Sequence, residues 1–77
     1  MSLFRVYHTR SPWCVRPTTL KAERAYRRWG AAEASLVVDA SSPNAARVAV
    51  MSYLTAGAAP FLQRGEGRDA VPVMQAA

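Results

Sequence analysis

Seventy-seven residues make one small domain, of a size at which a single core supplies only about 3–5 kcal/mol, so a partner or a second copy is a natural way of completing it. Half the residues are hydrophobic and the net charge is +5 at pH 7, with a single cysteine that excludes an intramolecular disulfide. The longest uncharged run after Arg47, Val48 to Gln63, is shorter than the roughly 20 residues that cross a bilayer and is interrupted by Gly57 and Pro60, so no membrane span is expected.

The charge is unevenly placed. Residues 1–30 carry Arg5, Arg10, Arg16, Lys21, Arg24, Arg27 and Arg28 against Glu23 alone, a net +6, and the remainder of the chain sums to −1. Nine of the ten basic residues are arginine, whose planar fork grips phosphate or carboxylate in a way lysine does not, although an arginine-rich coding bias produces the same count. With no secretory-type leader and Cys14 as the one thiol, a reducing cytoplasm is the expected compartment.

In chain order, Leu3 to Thr9 alternates as a half-buried strand, with Phe4, Val6 and His8 on the core face and Leu3, Arg5, Tyr7 and Thr9 on the other. His8 reads as a hydrogen-bonded or partly exposed side chain. Arg10 to Pro17 is bounded by Pro12 and Pro17, each of which biases the preceding residue toward extended geometry, and reads as a loop or irregular edge. Inside it Trp13, Cys14 and Val15 form an apolar knot. The knot either plugs one end of the core or, with Trp13 between Arg10 and Arg16, offers a surface anchor or a platform for stacking a base. Cys14 has no second thiol and reads as structural.

Thr18 to Trp29 reads as a helix capped by Thr18 or Thr19 and ended by Gly30, with Ala22, Ala25, Tyr26 and Trp29 as its apolar face. Lys21, Arg24 and Arg28 lie opposite, with Arg27 beside them, as a solvated basic face or as a surface for phosphates or an acidic protein. After a short connection, Ser35 to Ala40 forms a second strand around the β-branched run Leu36, Val37, Val38. Ser41 and Ser42 are cap candidates, and Pro43 suits a first helical position where its missing N–H has no partner. The helix that follows, Pro43 to Ala56, carries only Arg47 as a charge and is apolar nearly all round, which implies burial on more than one side. Its second face, at Val48, Met51 and Thr55, is either an intermolecular contact, including a homodimer, or is covered by the C-terminal segment. Phe61 to Gln63 and Ala70 to Met74 form a candidate hairpin across Arg64 to Asp69, Pro72 confines AVPVM to an edge strand or none, and Gln75 to Ala77 are expected to fray.

One histidine, one cysteine and five scattered carboxylates do not set an acid or base beside a nucleophile, and Cys14 with His8 is too small a set for zinc. Arg64 to Arg68, RGEGR, has two glycines but neither the strand-to-helix context nor the following GK[ST] of a phosphate loop. No catalytic residue, cofactor or metal is assigned. Two binding functions remain: a protein contact through the second helix, Val48 and Met51, with Trp13 and the arginines, or a nucleic-acid contact through Arg5, Arg10, Arg16, Lys21, Arg24, Arg27 and Arg28.

The stretches FRVY (Phe4 to Tyr7) and VVDASSPNAARVAVMSYL (Val37 to Leu54) resemble small phage and mobile-element proteins in which a strand ends in a Ser-Pro cap leading into an alanine-rich helix, several anti-CRISPR proteins among them. The resemblance covers about a third of the chain and carries over no functional residue. It implies a non-enzymatic inhibitor in the host bacterial cytoplasm that binds a CRISPR effector complex and occludes its nucleic-acid or nuclease-recruitment surface. Inhibitors that imitate DNA are acidic, whereas this chain is basic, so docking on an acidic protein surface or altering nucleic-acid binding fits better than posing as DNA. The expected fold is a single α+β domain over residues 1–77, in the order β-α-β-α with a candidate C-terminal hairpin, and helices packed on one face of an antiparallel sheet.

Overall fold

Seven elements make up the computed structural model, which describes residues 2–28, 35–57, 61–67 and 70–76: β1 (Ser2–Tyr7), β2 (Cys14–Thr18), α1 (Leu20–Arg28), β3 (Ser35–Ala40), α2 (Pro43–Ala56), β4 (Phe61–Arg64) and β5 (Val71–Gln75). They form one five-stranded sheet in the order β2-β1-β3-β5-β4. The α+β class holds. The sheet is mixed rather than purely antiparallel, because β3 and β5 run parallel, joined at Val38 with Met74 and Asp39 with Gln75. Every other neighbouring pair is antiparallel.

The helices lie on opposite faces of the sheet, not on one. Phe4, Val6, Val38, Ala40 and Met74 point to one face, where they close a core with Ala46 and Val50 of α2. Val37, Val71 and Val73 point to the other and pack with Leu3 and with Leu20 of α1. The physical reason lies in β3, where Val37 and Val38 are both buried although adjacent strand residues face opposite ways. A strand with two apolar faces needs a cover on each.

Of the two readings of Arg10 to Pro17, loop or irregular edge, the second describes its latter part, which enters β2, an edge strand paired with β1 from Tyr7 with Cys14 to Leu3 with Thr18. Pro17 is compatible with it because a residue without an N–H is tolerated on an edge strand. Pro72 is a different case, since β5 sits between β3 and β4 and is not an edge strand. Among the described residues the pairing with β3 involves Met74 and Gln75, and Pro72 is paired with Gln63 of β4, so no ladder bond to β3 is forfeited there. Gln75, expected to fray, ends β5, and the Ala76 N–H donates to the Asp39 carbonyl at 3.0 Å. Ala77 lies outside the described residues, as do Trp29, Gly30 and residues 31–34 and 58–60.

Both ends of α2 are set by the residues that mark them in the sequence. Ser42 is extended, its hydroxyl accepts from the Ala45 N–H at 3.0 Å, and Pro43 occupies the first turn. Gly57 adopts φ 74° and donates its N–H to the Tyr53 carbonyl at 2.7 Å, a left-handed cap that glycine takes without steric cost. Ser42→Ala is expected to lower the stability of the domain by about 1 kcal/mol, read as a lower urea midpoint with an unchanged denaturant slope.

Candidate functional site

The sequence places an arginine in the middle of β1, and the fold buries it. Arg5 lies on the α1 side of the sheet, and its guanidinium forks onto Glu23 of α1 through Nε to Oε2 at 3.0 Å and through the second nitrogen to Oε1. The Thr18 hydroxyl donates to the same Oε2 at 2.6 Å. The Tyr26 ring stacks on the guanidinium, whose carbon is 4.0 Å from the ring centroid, and the Tyr7 ring centroid lies 5.8 Å from the same carbon. Burial opposes the positive charge, but the hydrogen bond and charge of Glu23, with smaller contributions from Tyr7, outweigh it and raise the Arg5 pKa above its ordinary value. Arg5 is therefore a structural cation and is removed from the candidate contact surface.

The same cluster corrects the reading of α1. Its sheet-facing positions are Leu20 and Glu23, and Glu23 is almost fully buried, whereas Ala25 is exposed. The cap is Thr19, whose side chain accepts from the Ala22 N–H at 3.1 Å, which frees Thr18 to end β2 and bond Glu23. Helical spacing alone favoured Ala22, Ala25, Tyr26 and Trp29, the last of which lies outside the described residues. A buried arginine on the neighbouring strand requires a carboxylate in the contact, and that demand selects the helix face.

The remaining basic residues divide. Arg10, Arg16 and Lys21 are exposed, and among the described residues none of them is paired with a carboxylate. Arg24 is half-buried, with its Nε enclosed and unpaired, so it is not a free surface cation. The side chains of Arg27 and Arg28 lie outside the described residues. Trp13 is half-buried, packs with Val15 against the α2-side core, and meets His8 edge-on at 6.2 Å, the plugging arrangement rather than a surface anchor. Cys14, read as part of the apolar knot, is exposed instead, because strand alternation in β2 turns it to the opposite face from Trp13 and Val15.

The second candidate surface is the outer side of α2. Its inner side presents Ala46, Val50 and Tyr53 to the core, and Tyr53 packs edge-on against Phe61 at 5.5 Å. Val48, Met51 and Leu54 remain 55%, 56% and 49% exposed. Val48, Met51, Ser52, Thr55 and Ala56 line an open, shallow groove of about 320 Å³ with no charged residue in it. Among the described residues of the C-terminal segment none lines this groove, and β5 instead enters the sheet beside β3 and buries Met74 beneath the inner side of α2.

Among the described residues no three metal-ligating side chains come together, and no helix is long and apolar enough to cross a membrane. The chain matches no protein-family model, no curated protein and no solved structure in a comparison with each.

Proposed function

We propose that this protein is a non-enzymatic binding module whose contact surface is the outer face of α2, and that its partner is a CRISPR effector complex whose nucleic-acid binding or nuclease recruitment it blocks in the bacterial cytoplasm. The observation that carries the contact surface is the exposure of Val48, Met51 and Leu54 on a helix whose opposite side is already committed to the core. The partner is named on the likeness of Phe4 to Tyr7 and Val37 to Leu54 to anti-CRISPR proteins.

Burying three half-exposed apolar side chains contributes about 2–4 kcal/mol. That is the energy of a hot-spot centre, not of a whole interface, which takes roughly 20–30 residues a side. Asn44 and Arg47, one turn before Val48 and Met51 on the helix, supply the nearest rim. A second copy is the weaker occupant, since pairing two chains of net charge +5 adds repulsion that an uncharged groove does nothing to offset.

The test is co-purification of the tagged protein with assembled CRISPR effector complexes, comparing the natural chain with the double variant Val48→Asp, Met51→Asp. The natural chain is expected to be retained by an effector, and the double variant to bind it at least about 30-fold more weakly. Equal retention of both would remove α2 from the interface. A dimer in light scattering that the double variant abolishes would assign the face to self-association instead.

A further inference from the structure

We propose that the α1 side of the sheet carries a single-stranded nucleic-acid site, with Tyr26 as the platform for one base and Arg16 as the adjoining phosphate contact. This surface is independent of the α2 face, which lies across the sheet. Tyr26 is 42% exposed, and one face of its ring is pinned on the buried guanidinium of Arg5, itself locked by Glu23 and Thr18. The ring is thus held in place with its outer side open. A fixed aromatic platform avoids the entropy cost of ordering a loose side chain on binding.

Arg16 stands directly across the ladder from Arg5 and is exposed. Strand alternation sets Arg16 on the same face of β2 as Cys14 and Thr18, the α1 side, where Arg5 and Tyr7 of β1 also project. Two arginines facing each other on adjacent strands repel unless one is neutralised. Glu23 neutralises Arg5, so Arg16 projects the uncompensated charge. Arg10, in the turn that links Tyr7 to Cys14, and Lys21 on α1 add two more exposed cations without carboxylate partners among the described residues.

An anionic protein surface would satisfy the cations without requiring a flat ring face open beside them. A duplex supplies phosphates but keeps its bases stacked inside. A single strand offers both a free base face and a phosphate at the next link, the combination that aromatic platforms in basic grooves recognise.

The probe is a short fluorescein-labelled oligothymidylate, followed by anisotropy at increasing salt with the natural chain and with Tyr26→Leu, Tyr26→Phe and Arg16→Ala. Tyr26→Leu is expected to weaken binding roughly 5- to 150-fold and Tyr26→Phe to leave it near the natural value. Arg16→Ala is expected to reduce the slope of log affinity against log salt by about 0.7, the loss of one single-strand phosphate contact. Should Tyr26→Leu unfold, as circular dichroism would show, the exposed Arg16 variant and the intact Tyr26→Phe variant still decide the matter. The proposal is overturned by no binding at low salt, by an unchanged salt slope in Arg16→Ala, or by a duplex or polyglutamate bound as tightly as the oligothymidylate. Val48→Asp, Met51→Asp should bind the oligonucleotide normally, so failure of the α2 interface and failure of this site are separable.

Discussion

Glu23→Ala is expected to be strongly destabilised, because it strands the Arg5 guanidinium in the α1 contact without its counter-charge. Removing one partner of a buried ion pair costs about 3–5 kcal/mol, which is as much as a core of this size supplies. The cost is borne by the charge left behind rather than by the bond lost, which gives the prediction a second half. Replacing both partners, Arg5→Met with Glu23→Leu, is expected to return stability close to the natural value, since a well-packed apolar pair of similar volume is neutral or better. Urea unfolding followed by circular dichroism reads both variants. A Glu23→Ala midpoint equal to the natural one would mean that water reaches Arg5 and that the buried contact is not maintained in solution. The double variant would also strip the Tyr26 ring of the cation beneath it, so it is a probe of folding and not of nucleic-acid binding.

Met74→Ala and Met51→Ala are the same chemical change with opposite expected outcomes. Met74 is 1% exposed at the centre of the α2-side core, beside Val38 across the parallel pair and against Phe61 across the antiparallel one. Truncating it removes apolar burial and leaves a cavity, at about 2–5 kcal/mol. Met51 is 56% exposed on α2, and its truncation is expected to shift stability by no more than about 0.5 kcal/mol while weakening partner binding. Thermal melts of the two variants side by side check the contrast. A substantial loss of stability in Met51→Ala would show that the outer face of α2 is packed against the protein's own chain.

What was legible in the sequence follows from how local each cause is. β3 and α2 stand at Ser35–Ala40 and Pro43–Ala56, the bounds read from the apolar run, the Ser-Pro start and the glycine stop, because every one of those signals acts within a few residues. The run Leu36, Val37, Val38 also held the information that both faces of the sheet are covered, though alternation in β1 alone pointed to a single covered face. β2 was obscured by Pro17 within it and Pro12 before it, which mark a loop as readily as an edge until the pairing is known. The Arg5 to Glu23 contact spans 18 residues and two elements, and no periodicity in either element reports it. A lone acidic residue in a helix otherwise bordered by arginines was the available hint, and it became interpretable only once β1 and α1 were known to face each other. The exposure of Val48 and Met51 was open for the same reason, since it turned on where the C-terminal strand goes, and a parallel pairing with β3 is a long-range choice.

The central claim, that the outer face of α2 is where this protein meets its partner, is tested most directly by thiol footprinting. In a Cys14→Ser background, with Cys14 itself exposed and therefore removed, Met51→Cys places a reporter in the groove and Leu62→Cys places one on the exposed part of β4. Alkylation of each is timed with and without the effector complex. Strong protection of position 51 alongside unchanged labelling of position 62 is the predicted result, and labelling of position 51 at the same rate in the bound and free protein would contradict the account.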